Sequence, residues 1–79
     1  MDSNVKAFVI IECGRDPSYV VQELRELEGV KTAHALFGPM DAIAFIEAPD
    51  LKSLDEIVTM MYTVEGVTYT DTRVTRPVT

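Results

Sequence analysis

The segment Phe37-Gly38-Pro39-Met40-Asp41 carries the most suggestive chemistry in this chain. A glycine between two strands leaves its backbone N–H open to a small anion such as a carboxylate, because no Cβ stands in the way. An aspartate three residues later can accept hydrogen bonds from an ammonium group. An α-amino acid presents both groups close together, so Gly38 with Asp41 is a chemically coherent pair for one. The same spacing also suits a plain hairpin turn in which Asp41 caps locally, and the residues alone leave both readings open. Thr68, Thr70 and Thr72 alternate further along and would set three hydroxyls on one face of a strand. They are also simply good strand formers.

Catalytic groupings are lacking. Glu12, Asp16, Asp41, Glu47, Asp50 and Asp71 fall near strand ends, and none has a histidine at a spacing that dictates general acid–base work. His34 reads as a partly exposed strand residue. Cys13 reads as a strand-end cysteine, with Arg15 the one cation nearby to favour a thiolate. One cysteine excludes an internal disulfide, and Cys13 with His34 cannot supply four soft metal ligands. No phosphate-binding glycine loop or Walker-type lysine is present. The expectation is no catalytic residue, no metal and no cofactor.

The elements that would position these residues are legible from pattern. Residues 5–13, VKAFVIIEC, form a strand bounded by Gly14. Asp16-Pro17 reads as a helix cap with proline at the first helical position. Val20, Leu24 and Leu27, with Val21 beside them, give a buried stripe, and Gly29 stops the helix. Residues 30–37 and 41–48 are two strands of an antiparallel hairpin broken by Gly38-Pro39. Either Asp50 or Ser53 caps a second helix, Ser53 having Glu56 at capping-box spacing. Leu54, Ile57, Val58, Met61 and Val64 form its stripe, Gly66 stops it, 67–74 is a fourth strand, and Pro77 closes the chain.

The resulting βαββαβ order carries an internal echo. Glu28-Gly29-Val30 recurs as Glu65-Gly66-Val67, an offset of 37, and the same offset takes Ala7-Phe8 to Ala44-Phe45. Two related βαβ halves describe an α+β, ferredoxin-like sandwich, an antiparallel sheet with both helices on one face. Its other face would be bare. Phe8 and Ile10 point there, joined by Ile43 and Phe45 if the third strand has matching phase. An apolar patch of that kind marks an interface, so dimerisation through the open sheet face is expected.

Size and charge agree with a self-associating domain. The 79 residues, taken as one domain over 1–79, bury about 60–65 % of the unfolded surface. A core that small rarely yields more than ~3–5 kcal/mol without a partner or staple. Seven basic against 13 acidic residues give a net charge of −6, and the basic ones are scattered, which argues against direct nucleic-acid binding. No apolar run is long enough for a spanning helix and no signal-peptide pattern opens the chain, so a cytoplasmic protein without membrane contact is expected.

Together, VKAFVIIEC, LEGV, HALFGPMDAIAFIEA and VEGVTYTDTRV resemble the Lrp/AsnC effector domain, also called the RAM domain (regulation of amino-acid metabolism). The resemblance spans roughly residues 5–75. Its most specific parts are the G-x-x-D of Gly38–Asp41 and the GV-x-x-T-x-T of Gly66-Val67…Thr70-Asp71-Thr72. It implies a non-enzymatic domain that dimerises through its sheets and builds rings, commonly octamers, with amino-acid effectors between dimers. By that resemblance Gly38 would meet the ligand carboxylate, Asp41 would hold the ammonium or position the loop, and Thr70 and Thr72 would add hydrogen bonds. His34 and Leu36 lead into the loop and would line the side-chain pocket.

Two departures stand out. Pro39-Met40 replaces the aromatic that family members often carry between the glycine and the aspartate, and Met40 could repack around an apolar effector. The first strand begins at about residue 5, leaving no room for the helix-turn-helix that precedes this domain in full regulators. A stand-alone form is therefore expected, acting through assembly, including mixed assembly with a helix-turn-helix-bearing relative. The alternative is a dimeric ferredoxin-like enzyme resembling small monooxygenases or muconolactone isomerases, with His34 as its base. A purely structural module or an ACT domain is a further reading, and the GV-x-x-T-x-T ending favours the RAM domain over the latter.

Overall fold

Alternating burial along the first strand sets the architecture. In the computed structural model, which describes residues 4–38, 40–76 and 78, β1 (Val5–Cys13) buries Ala7, Val9 and Ile11 and turns Phe8 and Ile10 the other way. Pro39 of the turn and the closing Pro77 lie outside the described residues. After β1 come α1 (Pro17–Leu24), β2 (Val30–Ala35), β3 (Ala42–Ala48), α2 (Leu51–Met61) and β4 (Val67–Val74). The strands form one antiparallel sheet in the order β2-β3-β1-β4. This is the ferredoxin-like α+β sandwich. Among the described residues no helix is long and apolar enough to cross a membrane.

Both helices start on an aspartate. Asp16 accepts from the Ser18 N–H at 2.9 Å ahead of Pro17, and Asp50 accepts from the Ser53 N–H at 2.8 Å. Asp50 is therefore the cap of α2, and Ser53 lies inside it. The helix ends come earlier than the apolar stripes suggest. Past Leu24 and past Met61 the chain tightens into i→i−3 bonds, Leu27 N–H to Leu24 O and Val64 N–H to Met61 O, both 3.1 Å. These turns keep Leu27 and Val64 against the core although neither is helical. Gly29 and Gly66 then take the left-handed conformation, with φ of 93° and 106°.

Two strand bounds also differ from expectation. β2 stops at Ala35, so Leu36 and Phe37 leave the ladder, and β3 starts at Ala42 instead of Asp41. Leu36 still donates its N–H to the Asp41 carbonyl at 2.8 Å, which holds the hairpin closed beyond the last regular pair.

The core is small-residue rich. Ala7, Val9, Ile11, Ala33, Ala42, Ala44, Ile46 and Ala48 line the sheet beneath Val20, Val21, Leu24, Leu54, Met61 and Val64. Across the open face the register sets Phe8 directly opposite Phe45 and Ile10 opposite Ile43. The two phenyl rings sit 5.0 Å apart, tilted by 50°. Thr32 and His34 extend these rows on β2, and Arg73 and Asp71 extend them on β4.

Candidate functional site

The hairpin end is built by hydrogen bonds to its neighbour strand. Asp41 donates its N–H to the Ile11 carbonyl at 3.1 Å, and its Oδ2 accepts from the Cys13 N–H at 2.7 Å. One carboxylate oxygen of Asp41 is thus committed to fastening the loop onto the end of β1. That is the local-cap geometry, and it places Asp41 as the residue that positions the loop. Burial, and then the Asp41 carboxylate, push the Cys13 thiol above its ordinary pKa, which is the opposite of what an activated nucleophile requires.

Gly38 has φ of 104°, and a Cβ built on it would meet nothing within 4 Å. The glycine is needed here for backbone conformation, and the space around it stays open for a ligand or a second chain. Phe37 beside it is fully exposed, Leu36 is exposed, and Met40 is half-buried. Leu36, Gly38, Met40 and Asp41 accordingly share one end of the β2–β3 hairpin.

The other residues singled out from sequence lie elsewhere. Thr70 and Thr72 pair with Ile11 and Val9, which turns them to the helix side of β4. β1 separates β4 from β3, a lateral distance of about 10 Å at ordinary strand spacing. His34 pairs with Ile43 and faces the open side. Within one chain the threonines therefore lie apart from the loop, across β1, while His34 adjoins the loop on the open face. On the open face Asp71 and Arg73 form a two-point ion pair, with Nε–Oδ1 at 3.0 Å and Nη2–Oδ2 at 2.9 Å. The hydrogen bonds from Arg73 hold the Asp71 carboxyl below its usual range, and the same pair raises Arg73.

Sequence reasoning missed Tyr62. Its hydroxyl accepts from the Thr70 N–H at 2.9 Å and bonds the Thr70 hydroxyl at 3.0 Å, fixing that side chain from the end of α2. A groove of about 510 Å³ was also missed. It runs between Leu27, Gly29, Pro49, Ile57 and Met60, at the opposite end of the hairpin from Gly38. Among the described residues no group of three or more His, Cys, Asp or Glu could hold a metal ion.

Comparison with known proteins places this arrangement. A Thermus thermophilus protein of known structure superposes with a TM-score of 0.85 at 28 % identity, over 95 % of this chain and 96 % of that one. A hypothetical protein from Pyrococcus horikoshii gives 0.82 at 25 %, over 92 % and 90 %. A transcriptional regulator from Neisseria meningitidis, solved as an L-Met complex, shares the fold at 0.78 and 17 %. It is matched over 92 % of this chain and half of its own length. A comparison with curated proteins finds no match. The Lrp/AsnC ligand binding domain model matches residues 6–75, and with the βαββαβ sheet and the Gly38–Asp41 loop already placed, the chain belongs to that family.

Proposed function

We propose that this chain is a regulatory domain that senses a free α-amino acid. It pairs with a second copy through the open sheet face and binds the effector where subunits meet. It acts through protein assembly, alone or mixed with a helix-turn-helix-bearing relative, and not through its own contacts to DNA. The observation that carries this reading is the separation of the candidate residues. The open Gly38 loop and the Thr70–Thr72 edge lie on either side of β1 in one chain, so these residues can converge on a single ligand when they come from different subunits.

In this reading Gly38 offers its backbone to the ligand carboxylate, Asp41 holds the loop in place, and Thr70 and Thr72 add hydroxyls from a neighbour. Leu36 and Met40 supply apolar lining beside the loop, with His34 at its margin. The L-Met complex of the Neisseria regulator supports an amino acid as the ligand class. Family membership favours a non-enzymatic role over the small monooxygenase or isomerase type. The net charge of −6 disfavours phosphate-backbone contacts.

Titration calorimetry of the chain against the common amino acids tests the reading. At least one should bind, and Thr70→Val should weaken it by about tenfold, near 1.4 kcal/mol. Absence of heat for every amino acid at millimolar concentration would overturn it.

A further inference from the structure

On each outer edge of the sheet one outward-facing backbone group is bonded by a side chain, and the two side chains stand at equivalent places in the internal repeat. On β2 the Leu36 N–H to Asp41 O bond sets the phase of the ladder. Antiparallel alternation then turns the backbone groups of Ala33 away from β3, off the edge. Arg25 reaches that outward carbonyl with Nε at 3.1 Å and Nη2 at 2.8 Å. On β4 the Thr75 N–H to Lys6 O bond sets the phase, and the same alternation turns the Thr70 N–H outward. Tyr62 Oη accepts from it at 2.9 Å.

Arg25 is the C-cap of α1, and Tyr62 is the C-cap of α2. The offset of 37 that relates the two glycines takes Arg25 to Tyr62 and Ala33 to Thr70. The place is kept while the chemistry is reversed, since a donor fork covers a carbonyl on one edge and an oxygen acceptor covers an N–H on the other. What the two sites share is the result, an edge polar group already satisfied by the side chain of a helix C-cap.

An unpaired strand edge is a template for another strand. β4 is the longer of the two edges, at eight residues, with Thr68, Tyr69, Arg73 and Val74 exposed. Its natural complement is the β4 of a second copy, antiparallel across a two-fold. We propose that Arg25 and Tyr62 are edge plugs that stop a second copy of this chain from extending the sheet, and so direct self-association to other surfaces.

The test is the double variant Arg25→Ala, Tyr62→Ala, compared with wild type by sedimentation over a range of concentrations, with amide exchange read at Thr70. Removing Arg25 makes an acidic chain more acidic, so any gain in association arises against charge. The variant should reach about twice the wild-type mass at high concentration, as strand addition across a two-fold gives. Its Thr70 amide should exchange more slowly as concentration rises. Wild-type mass at every concentration overturns the proposal, and so does growth without protection at Thr70. If circular dichroism shows the double variant unfolded, Tyr62→Phe carries the test at the β4 edge. Thr70 should then exchange faster than wild type in dilute solution and slower in concentrated solution, and wild-type rates at both would reject the plug.

Discussion

On the helix side of the sheet, β1 and β3 set Ala7, Val9, Ile11, Ala42, Ala44 and Ile46, none more than 1 % exposed. On the other side the same two strands set Phe8, Ile10, Ile43 and Phe45, with Phe8 45 % exposed and the other three half-buried. The covered side uses small residues because two helices pack directly onto it. The open side uses large ones, already set in cross-strand pairs, although among the described residues no helix packs over them. Ringed by Lys6, Glu12, Glu47, Asp71 and Arg73, it has the apolar centre and polar rim of an interface.

The two faces should respond most differently to one chemical change made on each. Ile46→Ala should cost about 2–5 kcal/mol of folding stability by denaturant titration, because Ile46 is fully enclosed. That loss should not depend on protein concentration. Ile43→Ala should cost under about 1 kcal/mol in the dissociated chain. Its effect should appear in light scattering, as weaker association at equal concentration. Equal folding losses at the two positions would erase the distinction between the faces.

A smaller effect separates the two kinds of glycine. At Gly66 an alanine would combine left-handed strain with a clash against Arg15 and Val20, for a loss of about 2–4 kcal/mol in thermal unfolding. At Gly38 the strain stands alone, since no atom lies within 4 Å, and about 1–2 kcal/mol is expected. A Gly38→Ala loss as large as that at Gly66 would mean that the loop is packed and not open to a ligand.

Much of this was legible in the sequence. The bounds of β1 and β4, the Asp16-Pro17 start, the βαββαβ order and the outward phase of Phe8 and Ile10 all follow from local pattern. The helix ends did not follow, because the i→i−3 turns after Leu24 and Met61 hold Leu27 and Val64 in the same stripe. Apolar periodicity continues where helical hydrogen bonding has stopped. The commitment of Asp41 to Cys13 joins residues 28 apart in sequence and depends on the register of β3 against β1. Tyr62 and Arg25 were hidden for a related reason, since each acts on backbone exposed at a strand edge, and no spacing rule marks that. The offset of 37 was visible and would have pointed to them once either one was placed.

The smallest predicted effect concerns acid. Backbone and side-chain hydrogen bonds from Ser53 hold the Asp50 carboxyl below its ordinary range. A depressed carboxyl contributes above its unfolded pKa of about 3.9 and loses that contribution as pH falls through the lowered value. The first turn of α2 should therefore loosen in strong acid, seen as faster Ser53 amide exchange, and Asp50→Asn should flatten that dependence.

In the function proposed above, the open-faced domain associates and senses an amino acid through the same assembly. Light scattering with thermal unfolding, run with and without each common amino acid, reads both at once. The expected result is a particle larger than one chain and at least one amino acid that raises the melting temperature. A ligand at about 100 times its Kd adds about 2.7 kcal/mol to the bound state. A monomer that melts at the same temperature with every amino acid would contradict it.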